Sequence, residues 1–165
     1  MWMVLVMLTC PLMAMQCGDK DSENCHTKIL FHNNSDKLIY VDCEYSYPDT
    51  QSYSRLIQPY LSNAHIHGTM PGSSNNIALQ ASFHRPTCWE YEIRFIPSDT
   101  LMVFVFDGEM MESASIVDGH KQWDERMFLQ RYDLSIEDLR RLDFQLHYPP
   151  TEAMRNMKMW PHYRE

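Results

Sequence analysis

Basic charge is scarce in this chain: 14 Lys and Arg stand against 22 Asp and Glu, a formal net charge of −8 over 165 residues. A nucleic-acid ligand needs a basic footprint, so that class of partner is disfavoured. No apolar run approaches the ~20 residues that a membrane-spanning helix requires. Only five glycines occur, and none belongs to a phosphate-cradling loop. Gly-x-Ser-x-Gly and His-Glu-x-x-His are missing too, which withdraws the local signatures of nucleotide-binding proteins, serine hydrolases and zinc proteases. Without a Cys-x-x-Cys pair, a zinc knuckle or a thioredoxin-type centre has no support. Carboxylates are plentiful, but a glycosidase needs two at a fixed separation and the sequence singles out no such pair. A non-enzymatic protein with no cofactor is expected.

Charge is also distributed unevenly. Met1 to Gln16 contains none, whereas Cys17 to Glu23 is small, polar and acidic. A short apolar leader followed by cysteine resembles the export signal of a bacterial lipoprotein, in which Cys17 becomes the acylated first residue. The expected organisation is a signal peptide over 1–16, a lipidated acidic tether over 17–27 and one domain over 28–165. Several acyl chains would hold such a protein where one alone binds only marginally. Cleavage after Ala14, leaving a soluble periplasmic protein, is the alternative. The acids after Cys17 resemble a surface-export signal and favour the outer face of the outer membrane.

Removing Cys10 and Cys17 leaves three cysteines, Cys25, Cys43 and Cys88. In an oxidising compartment at most one intramolecular disulfide can form among them. A bridge between Cys43 and Cys88 and small buried thiols are both open readings.

Downstream, alternation dominates. Trp89, Tyr91, Ile93 and Phe95 fall on one face of an extended segment, with Glu90, Glu92 and Arg94 on the other, the period of a half-buried strand. Ile77, Leu79, Ala81 and Phe83 repeat the pattern, as do Ile39, Val41, Cys43 and Tyr45, and Phe144, Leu146 and Tyr148. Leu101 to Phe106 is apolar throughout and predicts a central strand covered on both faces. Lys28 to His32 and Met127 to Arg131 complete about seven strands. The fold class expected is mainly β: a single antiparallel β-sandwich-like domain with one or two short helices. Ser135 is placed to cap a helix over Leu134 to Leu142, with Leu134 closing over Leu139 and Ile136, Leu139 and Leu142 on one face. A second short helix is expected within Ser113 to Arg126, with Trp123 inward.

These segments together resemble a family of small, uncharacterised Bacteroidota cell-envelope lipoproteins. The resemblance lies in Asn33 to Val41, Tyr47 to Thr50, Val103 to Asp107, Trp123 and Asp124, Arg131 to Leu139, and Tyr148 to Pro150. It implies an envelope location and carries over no catalytic residue.

Three constellations bear on chemistry. His65 and His67 would lie ~7 Å apart on one side of an extended chain, and a metal would need a third ligand such as His84. Met154, Met157, Met159 and His162 form a soft donor set suited to copper, although the Met154 and Met157 spacing also fits a turn packed on the sheet. Tyr45, Tyr47, Tyr53 and Tyr60 lie in or near a Ser/Pro/Gln-rich region and offer the aromatic faces that a glycan or peptide site uses. The functional expectation is a lipid-anchored envelope protein, held in the membrane by acyl chains at Cys17, that binds a glycan or protein ligand; a copper-handling protein is the alternative.

Overall fold

The computed structural model of the chain describes residues 21–49, 67–81, 87–117, 120–122 and 124–164. Five strands form an antiparallel sheet in the order β10-β8-β5-β2-β3: β2 is Ile39–Glu44, β3 His67–Thr69, β5 Leu101–Asp107, β8 Phe128–Leu134 and β10 Lys158–Trp160. Three more, β1 (Lys28–Asn33), β4 (Ser74–Gln80) and β9 (Gln145–Tyr148), form a second sheet in the order β4-β1-β9. There β4 runs antiparallel to β1 and β9 parallel to it. Strands β6 (Ile116–Val117) and β7 (His120–Lys121) pair as a small hairpin. The mainly β, sandwich-like architecture expected from the alternation is therefore present, with one parallel pairing in it.

Period-two burial explains why the sheets stack. Ile29 and Phe31 of β1, Leu79 of β4 and Leu146 of β9 meet Ile39 and Val41 of β2, Val103 and Val105 of β5, and Tyr132 and Leu134 of β8 in one apolar cluster. Each such side chain, fully buried, contributes roughly 1.5–3 kcal/mol. Every residue of β5 is buried. Its alternate residues Met102, Phe104 and Phe106 face a second cluster on the outer side of the five-stranded sheet, under Met111 and Met127. The central strand covered on both faces is thus as expected.

Among the described residues there are three α-helices: α1 (Trp89–Phe95), α2 (Gly108–Ser113) and α3 (Ile136–Arg141). The capped helix is found in place. Ser135 Oγ accepts from Asp138 N at 3.2 Å while Asp138 Oδ2 accepts from Ser135 N at 3.1 Å, a reciprocal capping box. Leu134, Leu139 and Leu142 are buried in the inter-sheet core. The helix stops in two left-handed residues, Asp143 (φ 52°) and Phe144 (φ 53°), a conformation uncommon outside glycine and asparagine. Phe144 stays buried, as expected, but β9 begins one residue later.

Several expectations need correcting. Trp89 to Phe95 is helical, not a strand; Trp89, Ile93 and Ile96 point into the core at helical spacing, and Tyr91 and Phe95 are exposed. Of the helix expected over 113–126, the described residues share only Ser113 with an α-helix: it ends α2, which is capped where Asp107 Oδ1 accepts from Met110 N at 3.0 Å, and the hairpin and a 3-10 turn over Glu125–Met127 follow. Trp123 lies outside the described residues. Ile77, expected inward, is 49% exposed because the β1–β4 register slips and Asn75 Oδ1 takes the amides of Ile77 and Ala78. Phe83 is also outside the described residues.

The disulfide joins Cys25 to Cys88, leaving Cys43 free. Within the expected tether, residues 25–27 are consequently half-buried and tied to the domain, while 21–24 stay exposed. Ser22 and Cys25 exchange backbone hydrogen bonds, Asp21 accepts from Thr27 N and Oγ1 at 2.6 and 2.8 Å, and His26 O accepts from Trp89 N. Glu90 receives His26 N at 2.9 Å and pairs with its Nδ1 at 2.5 Å. Burial pushes the Glu90 carboxyl up, but these bonds from His26 outweigh it and hold it below its ordinary value.

Candidate functional site

Much of what the sequence singled out serves the fold. Buried Asn33 donates its amide to Lys37 O (2.7 Å) and Thr69 O (2.9 Å) and accepts from Ser35 N and Oγ. That satisfies the polar atoms of a group that would otherwise be costly to bury. Asp107 caps α2 and pairs with Lys37 at 2.8 Å. Burial raises its carboxyl, and the Lys37 ammonium with the Met110 and Glu109 amides brings it below the ordinary range. Tyr132 donates its hydroxyl to His147 O at 2.8 Å, bracing one sheet against the other.

Met154, Met157 and Met159 are all buried in the inter-sheet core, beside a 3-10 turn over Glu152–Met154 and strand β10. His162 is exposed, so the four do not present an accessible donor set for copper. Cys17, Tyr53, Tyr60, His65 and His84 lie outside the described residues, and only the backbone of His67 is described. Among the described residues no three His, Cys, Asp or Glu side chains converge as a metal site.

An arrangement that reaches solvent is found on the outer face of the five-stranded sheet. Pairing across β10, β8, β5 and β2 sets Lys158, Asp133, Met102 and Glu44 in one row. Trp160, Arg131, Phe104 and Asp42 make the next. Met102 and Phe104 form the buried floor, and the charged side chains and Trp160 surround it.

Arg131 and Asp133 form an ion pair in which Nη2 donates to Oδ2 at 3.1 Å, while Nε lies 2.8 Å from Oδ1 without the alignment of a hydrogen bond. One hydrogen bond and a close charge contact thus hold the guanidinium against the buried carboxylate. Beside it, the indole of Trp160 is 54% exposed and leans on Phe128, with ring centroids 5.2 Å apart. Tyr47 packs on the same outer cluster. The Lys158 ammonium donates to its hydroxyl and lies 4.7 Å from its ring centroid. Tyr45 is exposed at the end of β2. Of the two described tyrosines expected in a ligand site, Tyr47 belongs to this patch.

Arg131, Asp133, Lys158 and Trp160 were not expected there. Their neighbourhood depends on the β8–β10 register, which local patterning does not encode. A partly open aromatic ring beside a positioned guanidinium and ammonium can take a ligand with an apolar face and hydroxyls at its rim.

A second polar group sits on the outer side of the smaller sheet, where His32 and His147 are register partners. Their rings stack at 4.4 Å with planes 13° apart. His32 contacts Ser74 Oγ at 2.7 Å and Gln145 Oε1 at 3.3 Å, and Asn34 donates to His147 Nδ1 at 3.1 Å. Near-parallel rings aim their nitrogens along separate planes, so this pair does not chelate one ion. Comparison with family models, with curated proteins and with solved structures finds no match to the chain.

Proposed function

We propose that the chain is a lipid-anchored, surface-exposed protein of the bacterial outer membrane, and a non-enzymatic module that binds a glycan through the outer face of its five-stranded sheet. The observation that carries this reading is the exposed indole of Trp160 in register with the Arg131–Asp133 pair. A pyranose has an apolar C–H face that suits an indole and a rim of hydroxyls that suits fixed charged donors and acceptors. Lys158 and Tyr47 extend the same surface. No described helix is long and apolar enough to cross a membrane; attachment in this reading comes from the acyl chains at Cys17.

The two parts are tested separately. A mass measurement on envelope fractions of wild type and Cys17→Ala reads the anchor, and an unmodified wild-type protein rejects it. For the ligand, the protein is applied to an array of neutral and acidic oligosaccharides and any hit is titrated against Trp160→Ala. Loss of the stacking surface should weaken binding roughly tenfold, about 1–1.5 kcal/mol, with an unchanged thermal melt. An array without hits, or equal affinity for both forms, rejects the glycan site.

A further inference from the structure

The exposed apolar residues are not scattered evenly. Helix α1 presents Tyr91 and Phe95, one turn apart, with exposures of 57% and 67% and ring centroids 4.5 Å apart. Both point away from the core that Trp89, Ile93 and Ile96 enter, so packing among the described residues does not account for them.

Their position along the chain does. The residue before α1 is Cys88, bonded to Cys25, and Glu90 in its first turn grips His26. The start of α1 is thereby fixed to the segment that leads to Cys17. Eight residue steps separate Cys17 from Cys25, at most about 28 Å of extended chain. If Cys17 carries acyl chains, the aromatic face of α1 is held within reach of the bilayer that contains them.

We infer that Tyr91 and Phe95 are a second membrane contact: α1 rests on the lipid surface and its two rings enter the interfacial layer, fixing the orientation of a domain that the acyl chains alone would leave free to tumble. This rests on the lipid-anchor reading above. Aromatic rings favour the membrane–water interface because one part of it is apolar and the other wet, and one added contact turns a flexible attachment into an oriented one. Charge does not drive it. Glu92 and the acids Asp21 and Glu23 lie close to α1 in sequence or through the disulfide, against Arg94 on the helix itself, so zwitterionic lipid should serve as well as anionic lipid. Oriented this way, the domain stands on its α1 end. Strand β5 starts near that end and carries α2 and the β6–β7 hairpin at its other end, about 20 Å away over its seven residues.

The test uses the full-length protein purified from membranes, with acylation checked by mass. It is reconstituted in phosphatidylcholine/phosphatidylethanolamine vesicles with or without brominated acyl chains. Phe95→Trp places a reporter on α1, Ile116→Trp places one at the equally exposed position on β6, and the unsubstituted protein gives the background from the native tryptophans. The expected result is roughly twofold quenching of the added Phe95→Trp emission by brominated lipid and none for Ile116→Trp. Equal emission of Phe95→Trp in both vesicles, with acylation confirmed, overturns the α1 contact and leaves the anchor standing; so does equal quenching of the two reporters. A mass without acyl chains overturns both.

Discussion

The imidazoles of His32 and His147 stack face to face at 4.4 Å across the parallel pairing of β1 with β9. Their hydrogen-bonding partners, Ser74, Gln145 and Asn34, are uncharged. Burial and the neighbouring His32 charge hold the His147 imidazole below its ordinary value. A depressed pKa means that the unfolded chain takes up the proton first. Stability is full above about pH 6.5, the unfolded value, and is lost as pH falls towards the folded pKa. The thermal midpoint should therefore fall between pH 7 and pH 5.5, before the carboxylates titrate, and His147→Asn should flatten that slope. Equal slopes for both proteins would show that the pair does not sense pH.

The Cys25–Cys88 bridge closes a loop with a sequence separation of 63. Constraining a loop of this size in the unfolded state is worth about 2–4 kcal/mol. Cys25→Ser with Cys88→Ser should lose that much in urea unfolding. It should also speed amide exchange in residues 21–27 more than in β5, because these residues hold the N-terminal segment on α1. Uniform acceleration throughout the chain would count against a local latch.

How far the fold could be read in advance depends on how local its causes are. Leu101 to Phe106 and the Ser135-capped helix carry their own instructions, a run of apolar residues and a pair of reciprocal caps, and both form as expected. Trp89 to Phe95 does not. Seven residues with apolar side chains at 89, 91, 93 and 95 satisfy a strand, but Trp89, Ile93 and Ile96 satisfy a helix equally well. What decides is a tertiary constraint: Cys88 is tied to Cys25, and His26 O takes the Trp89 amide. The candidate surface was hidden for the same reason. Tyr47 stands out in the sequence as an aromatic near a loop, but Arg131, Asp133 and Trp160 become neighbours only through the pairing of β10 with β8. The methionines of 154–159 were legible as packing because two of them, Met154 and Met157, have the spacing of a turn laid on a sheet.

Cys43 has a thiol pushed up to about 12, chiefly by burial and further by the Asp42 carboxylate. A thiol that stays protonated is a poor nucleophile. Iodoacetamide at pH 8 should leave Cys43 unmodified in the native protein and label it fully in 6 M guanidinium, as read by intact mass. Rapid native labelling would mean that β2 opens at its Cys43 end.

Gly108 follows Asp107 at the point where α2 leaves β5, and its amide donates to Leu38 O at 2.8 Å. A Cβ there would fall 2.6 Å from Leu38 Cγ and 2.9 Å from the Leu38 carbonyl oxygen. The side chain could rotate away, but the backbone oxygen cannot without breaking that hydrogen bond. Gly108→Ala should cost about 1–3 kcal/mol by chemical denaturation. A loss below about 0.5 kcal/mol would show that the β1–β2 turn adjusts freely.

Arg131 and Asp133 have two roles in the proposed site, and substitution can separate them. The Asp133 side chain is fully buried, and its charge is tolerated there because the Arg131 guanidinium lies against it and donates to Oδ2. Removing the cation alone strands a buried carboxylate, so Arg131→Ala should lose about 3–5 kcal/mol. Any loss of glycan binding in that variant would then be uninformative, since it could follow from disrupted folding. Replacing both members removes the stranded charge. A well-packed apolar pair in place of a buried ion pair is often neutral or stabilising, so Arg131→Met with Asp133→Leu should melt near the wild type and keep Trp160 on its Phe128 support. If the guanidinium contacts the ligand, this folded double variant loses binding, and adding Trp160→Ala weakens it little further. If instead the pair only shapes the sheet, the double variant binds as the wild type does while Trp160→Ala alone still fails, and the site reduces to its aromatic part.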